Sequence, residues 1–489
     1  MKILFHLCAS GFATLMLAAF LFGGCGAKEE AAAPAPQAWS PGGPVQAALD
    51  ALEQVHHQHD ASKRPLVLSE RAPDRRTWTL KVLEQGYAQS GCTDAKWDGF
   101  VHAAFEAYAD YSRAQAWGRY SNLTSSITSA VAAGCEDPMM QYLRARYLLD
   151  DGSLGQEEVA IGYVKAYHAM AGSRYHPALK FNAGYRAVLA ARSAAPKCNR
   201  SLLLAMVSDT LIDLARDPNA PVQEVFEPAQ RWIDYAHGQK WLGQVLAEVK
   251  PLLQKTWGGE EAFYCFCGAA EVGLAWVSRG GGFADTVTAK GAAGFDKHLA
   301  QAEKHLNTAW QMNSSNAHTA YLMMQVELGQ GQGRSRMQQW FERAIRLDPS
   351  SFDAVKLMSF YLEPRWYGSD EAALEFARAC VASTNYTGNV AMILPEVHHS
   401  LAKYYKRAES PDYWHRPEVW ADIKSTYETF FQRNPQAVGH RHNYARDAYL
   451  CGHYAEFLAQ AKLFATGTNY SYFGGEARFN QMLGQAARN

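Results

Sequence analysis

Trp340-Phe341-Glu342-Arg343-Ala344-Ile345-Arg346-Leu347-Asp348-Pro349 decides the fold class of this 489-residue chain. Two large apolar side chains are followed at helical spacing by a small Ala344 and then Leu347, which marks one face of an amphipathic helix. Asp348-Pro349 ends it, because proline has no amide N–H and restricts the residue before it. The same small-beside-large spacing recurs on both sides. It appears at Ala302-x3-Leu306-x2-Ala309 before Met312-Asn313-Ser314, and at Ala372-x3-Phe376-x2-Ala379. It appears again at Ile423-x3-Tyr427-x2-Phe430 before Asn434-Pro435. A small alanine lets a neighbouring backbone approach while the bulky residue fills the space beside it. A single helix pair of this kind cannot bury its own apolar face, so successive pairs must stack.

These stretches resemble the second helix of tetratricopeptide repeats, and Trp340 to Pro349 carries the likeness most fully. The intervening helices are degenerate. Ala317 to Leu328 lacks the family's Trp and early Leu-Gly pair, whereas Arg441 to Tyr454 keeps Tyr444, Ala445, Ala448, Gly452 and Tyr454. Four units span Leu299 to Ala465 with loops of unequal length. A second likeness covers Trp276 to Ala382. The run from Ala275 to Thr288 (AWVSRGGGFADTVT) resembles a signature of an uncharacterised bacterial domain of unknown function. So do Phe295-x3-Leu299-x2-Ala302, Trp340-Phe341-x2-Ala344 and Tyr361-Leu362-x-Pro364-x-Trp366-x-Gly368. That resemblance implies a helical-repeat domain and supplies no activity.

Towards the N-terminus the chain also reads as helices. Val45, Leu49, Leu52 and Val55 share a face. Asp98 to Trp117 is expected to turn Phe100, Ala104, Ala107, Tyr108 and Tyr111 inward. Asp137-Pro138 opens a helix through Tyr147, Glu157 to Met170 forms another, and Pro177 opens one through Phe181, Tyr185 and Leu189. Sustained alternation of apolar and polar residues is lacking, so few strands are expected. The expected fold is all-α, an irregular α-solenoid of tetratricopeptide-like helix hairpins. It is divided into a helical region over 45–250 and a tetratricopeptide-like domain over 251–489.

Residues 1–24 read as a secretory signal peptide. Lys2 precedes an almost wholly apolar run from Ile3 to Phe22, and small residues follow. Gly23-Gly24-Cys25 resembles the bacterial lipobox, with Phe22 where that family usually has Leu. The resemblance implies cleavage before Cys25 and lipidation of its thiol. Residues 25–44 are rich in Ala, Pro and Gly and form a tether that cannot bury a core. Gly26 rather than Asp after the cysteine implies an outer-membrane anchor facing the periplasm. Acyl chains on Cys25 would hold the protein at the membrane without a spanning helix.

Lys and Arg number 47 against 48 Asp and Glu, for a net charge of −1. Removing Lys2 with the leader changes this by one unit. A near-neutral body excludes phosphate-backbone binding as a main role, since that needs a basic surplus, so no nucleic-acid partner is expected. Of nine cysteines, Cys8 leaves with the leader and Cys25 carries the lipid. Cys92, Cys135, Cys198, Cys265, Cys267, Cys380 and Cys451 remain. Being odd in number, they leave at least one unpaired within the chain, and sequence assigns no pairing. Cys265-Phe266-Cys267 is too tight for an easy bridge and reads as core.

No reaction is specified. The chain lacks Gly-x-Ser-x-Gly, His-Glu-x-x-His and the other spaced nucleophile motifs, and a non-enzymatic role is expected. Ser278 to Gly282 is a glycine-rich loop without the Lys-Ser/Thr of a phosphate loop, so an interhelix turn is favoured over an anion cradle. Asp285, Thr286 and Thr288 are expected to cap the next helix. His56, His57 and His59, and the group His398, His399, His415, His440, His442 and His453, lack metal-ligand spacing and are expected at helix ends or in packing. No metal or cofactor is assigned. Aromatic residues crowd the last third of the chain, chiefly as core. The expected binding surface draws on Trp276, Arg279, Asp285, Trp366, Tyr367 and Trp414. The expected role is a protein- or peptide-binding scaffold tethered in the cell envelope. An envelope enzyme or small-ligand receptor, with a pocket in the helical body, is the alternative.

Overall fold

The structure is a computed structural model. It describes residues 43–53, 74–114, 117–150, 154–239, 241–282, 284–383, 385–406, 408–435, 437–464 and 467–488. The expected leader, Cys25, the expected tether up to position 42 and the His56-to-His59 cluster lie outside the described residues. Within them the chain is 77% helical and contains no strand. No described helix is long and apolar enough to cross a membrane.

Two compact units divide at Gly291 and Ala292. The first contains α1 (Pro44–Asp50), α2 (Arg75–Ala88), α3 (Asp98–Ala114), α4 (Trp117–Ala132) and α5 (Pro138–Arg144). It continues with α6 (Gln156–Ala171), α7 (Pro177–Ala194), α8 (Ser201–Ala215), α9 (Val222–Gly238), α10 (Leu242–Trp257) and α11 (Glu261–Arg279). The second contains α12 (Ala289–Met312), α13 (Ala317–Gln330), α14 (Arg334–Leu347), α15 (Phe352–Tyr361), α16 (Asp370–Ala382) and α17 (Ile393–Tyr404). After these come α18 (Pro411–Trp414), α19 (Pro417–Arg433), α20 (Val438–Leu450), α21 (Tyr454–Leu463) and α22 (Glu476–Ala486).

Local chemistry sets the helix starts. Asp137 lies before Pro138 and accepts from the Met139 and Met140 amides at 2.9 and 3.1 Å. Such a side chain replaces a partner that the first turn lacks. Asn316 does this for α13, Ser351 for α15 and Ser369 for α16. Gly331, with φ +63°, closes α13 in the left-handed region.

In the second unit α13 packs on α14, α14 on α15, α15 on α16, α16 on α17, and α18 through α21 each on the next, while α13, α15, α17 and α19 also pack in succession. That is the logic of a helical array. Ala302, Leu306 and Ala309 of α12 are fully buried. Trp340 meets Trp310 edge-on at 5.2 Å, and Arg343 covers the Trp340 ring at 4.2 Å. In α16 the expected register is off by one residue. Ala373, Ala377 and Cys380 are buried, while Ala372 and Phe376 are half-buried and Ala379 is exposed. Phe376 still reaches Phe341 at 5.4 Å, from the flank of the stripe. Each residue step turns a helix by 100°, so a one-residue error rotates the whole face.

In the first unit α6 packs on α7, α7 on α8, and α9 on both α10 and α11. The buried face of α3 is Val101, Ala104, Phe105 and Tyr108, and Phe100 is 42% exposed rather than inward. The apolar stripe there begins one residue later than expected. Cys265 and Cys267 are buried, as their setting implies.

Candidate functional site

Between α15 and α16 the chain reads Tyr361-Leu362-Glu363-Pro364-Arg365-Trp366-Tyr367-Gly368. Proline ends helical geometry here, yet the loop is closely bonded. The Trp366 amide donates to the Glu363 carbonyl at 2.9 Å, and the Tyr367 amide to the Tyr361 carbonyl at 3.1 Å. A Cβ on Gly368 would fall 2.1 Å from the Leu362 carbonyl oxygen, so only glycine allows this closure.

A buried carboxylate anchors the loop from behind. Glu363 is 2% exposed and pairs with the Arg365 guanidinium. The Ser400 hydroxyl of α17 donates to Glu363 Oε1 at 2.6 Å, and Arg365 Nη2 donates to Ser400 Oγ at 2.6 Å. Burial pushes the Glu363 carboxyl upward, which Arg365 and Ser400 partly oppose. The guanidinium also lies over aromatic faces, 4.7 Å from the Phe360 centroid and 5.8 Å from that of Tyr404.

The result is a joined set of rings. Phe360 meets Trp366 at 5.4 Å, Trp366 meets Tyr367 at 6.2 Å, and Tyr367 meets Tyr361 at 4.7 Å. Across Arg365, Tyr404 meets Tyr405 edge-on at 4.9 Å. The Tyr405 hydroxyl donates to Asp370 at 3.0 Å. Lys406, at φ +56°, turns the chain sharply away just after these two tyrosines. Nine large apolar side chains are conspicuously exposed among the described residues, and Tyr367, Tyr404 and Tyr405 are three of them. That concentration separates this surface from the singly exposed residues normal on any protein. Flat rings, hydroxyls and a guanidinium held in place can stack on and hydrogen-bond to an incoming side chain.

The structure joins two of the residues expected at a binding surface, Trp366 and Tyr367. Trp414 is a correction. It is fully buried, its indole N–H donates to the Ala408 carbonyl at 2.9 Å, and the short helix α18 turns it inward. Trp276 is a second correction, being 6% exposed. It lies on α11, which buries residues around most of its circumference and is therefore a core helix. Arg279 covers Trp276 at 5.6 Å and donates to the Gly282 carbonyl at 2.9 Å. The guanidinium thus binds the carbonyls of its own glycine-rich loop. Asp285 is exposed in a short 3-10 turn, Ala284–Thr286, while Thr288 performs the capping by accepting from the Gly291 amide at 3.0 Å.

Sequence reasoning missed Arg365, Tyr404 and Tyr405. The adjacent Tyr404-Tyr405-Lys406 at a helix end was the available signal, since three such side chains in a row cannot all face inward. His398 and His399 are held among packed helices, whereas His415 and His453 are exposed. His398 is 1% exposed, with Nδ1 3.0 Å from the Tyr413 hydroxyl and Nε2 3.1 Å from Asp422. Burial holds it below the usual imidazole range despite Asp422. His399 Nε2 lies 2.8 Å from Asp447 Oδ1 and 2.9 Å from Arg446 Nη2. That nitrogen can donate to the carboxylate or accept from the guanidinium, but not both at once. Among the described residues no group of three or more His, Cys, Asp or Glu could hold a metal ion.

No family model, no curated protein and no solved structure matches the chain.

Proposed function

We propose that this protein is a lipid-tethered scaffold of the bacterial cell envelope that binds a protein or peptide through the Arg365–Tyr405 aromatic surface. In this reading the helical array is an irregular α-solenoid of tetratricopeptide-like hairpins. It is anchored through Cys25 at the outer membrane and faces the periplasm. The leader-like run, Gly23-Gly24-Cys25 and the Ala/Pro-rich tether support the location. The observation that carries the binding role is the exposure of Tyr367, Tyr404 and Tyr405 around an arginine fixed by a buried glutamate. Aromatic and arginine side chains dominate the energetics of protein interfaces. Binding also costs less when such groups are already ordered in the free protein.

The test is photo-crosslinking in producing cells. A photoreactive phenylalanine analogue replaces Tyr404 or Tyr405 in the full chain, with Leu463, 60% exposed, as the control position. Discrete adducts at 404 and 405 and none at 463 are expected. Equal adducts at all three positions, or none at any, would refute the binding role. Labelled palmitate, incorporated by the parent chain and absent from Cys25→Ser, checks the tether separately.

A further inference from the structure

Cys92 and Cys135 lie on neighbouring loops of the first unit. Cys92 is in the segment entering α3, and Cys135 is in the segment leaving α4. Helices α3 and α4 pack on one another and are joined across two residues. The chain leaving the pair therefore returns to where it entered. Side chains mark the meeting. A Cβ on Gly134 would sit 3.8 Å from the Trp97 ring, and the Trp97 indole N–H donates to the Cys92 carbonyl at 2.8 Å. The Tyr87 hydroxyl lies 3.4 Å from that same carbonyl and 2.6 Å from Asp98. The charge of Cys135 acts on the Tyr87 hydroxyl, and those of Cys92 and Asp98 act on the Cys135 thiol. Both cysteines thus border one cluster made of Tyr87, Trp97 and Asp98.

We propose that Cys92 and Cys135 form a dithiol pair that a low-molecular-weight disulfide oxidises to an intramolecular bridge, stapling the α2–α3 loop to the α4–α5 loop. Cys92 is half-buried and Cys135 is 6% exposed, so Cys92 meets the reagent first. Burial pushes the Cys135 thiol up to about 11, with Asp137, Cys92 and Asp98 adding to it and the Asp137 backbone opposing. Cys135 is therefore the slower, resolving thiol. In the first step the Cys92 thiolate attacks the reagent, its S–S bond breaks, and one reagent thiolate leaves. In the second step the Cys135 thiolate attacks the Cys92 sulfur and expels the other. Two protein thiols lose two protons and two electrons, and one disulfide becomes two thiols. The bridge does not depend on the binding surface. It is the state expected wherever the compartment is oxidising.

The experiment uses the full chain, fully reduced and then incubated with glutathione disulfide at pH 8. Free thiols are alkylated, the protein is digested without reduction, and peptides are read by mass. The expected product is one cross-linked species carrying Cys92 and Cys135, two hydrogens lighter than the sum of its peptides. In Cys135→Ser the same treatment should leave Cys92 as a stable glutathione adduct, because the resolving thiol is gone. Parent protein that ends with Cys92 glutathionylated, or unmodified, beside an alkylated Cys135 would overturn the proposal. So would a bridge from Cys92 to any other cysteine.

Discussion

The hydroxyl of Tyr367 donates to the carbonyl of Leu328 at 3.2 Å, tying the α15–α16 loop to the last turn of α13. Helix ends leave carbonyls without intrahelical partners, so this contact serves the helix and the loop together. Tyr367→Phe keeps the ring and removes one hydrogen bond. The expected cost is about 1 kcal/mol, read as a lower urea midpoint at unchanged slope for the second unit. Amide exchange in 362–368 should quicken by several-fold. Unchanged exchange there would mean that the hydroxyl does not hold the loop.

Two glycines in the second unit should respond in opposite directions to alanine. At Gly368 a methyl would meet the Leu362 carbonyl oxygen at 2.1 Å, and backbone cannot retreat cheaply. Gly368→Ala is expected to destabilise by more than about 3 kcal/mol. Gly484 lies inside α22 with nothing within 4 Å of its Cβ position. Gly484→Ala should therefore stabilise by roughly 0.5–1 kcal/mol through helix propensity. Thermal melts of the two variants beside the parent give both signs in one experiment.

Asp234 of α9 is 8% exposed, and Gln230 donates to it at 2.9 Å. Burial pushes its carboxyl up to about 7, which the Gln230 amide only partly offsets. The folded chain keeps a proton that the unfolded chain releases near pH 4. Stability contributed at this residue therefore falls as pH rises from 4 through 7 and levels off above. The full swing is on the order of 4 kcal/mol at most. Asp234→Asn should flatten that dependence and raise the melting point of the first unit at pH 8. A variant melting lower than the parent at pH 8 contradicts the account.

Asp447 shows the reverse sign. It is fully buried, and burial alone would raise its carboxyl. The charges of Arg446 and His399 outweigh this and hold it at about 2. Its contribution is complete above the ordinary carboxylate range and is lost as pH falls from about 4 through 2, roughly 2 kcal/mol in all. Asp447→Asn leaves Arg446 and His399 without their carboxylate and should cost about 3 kcal/mol at pH 7. The variant's acid denaturation curve should lose the component between pH 4 and pH 2.

Helix positions were largely legible because caps and periodicity act over a few residues. Asp137-Pro138 and Pro177 open helices in the structure as they do in the sequence pattern, and Glu157 to Met170 falls within α6. Facing was harder. The Ala372 register missed by one residue, and Phe100 is exposed although Ala104 and Tyr108 of the same expected face are buried, since neighbouring apolar residues offered two nearly equal stripes. Trp414 and Trp276 were misread as surface because an indole's direction depends on what the next helix covers. Arg365 escaped notice because its partners Glu363 and Ser400 lie on either side of α16, and no local pattern reports that meeting.

The binding role of the aromatic surface is tested most directly by quantifying the cross-linked partner in cells that make the chain with Tyr404→Ala and Tyr405→Ala together. The photoreactive residue is placed at Tyr367, so that the probe stays on the same surface. Both tyrosines are more than a third exposed, and the variant loses the Tyr405–Asp370 hydrogen bond and the Tyr404 face beside Arg365, so the purified variant should stay folded and melt no more than about 6 °C below the parent. Partner recovery should fall at least about tenfold, as expected for loss of a hot spot. Full recovery of the adduct from a normally folded double variant would contradict it.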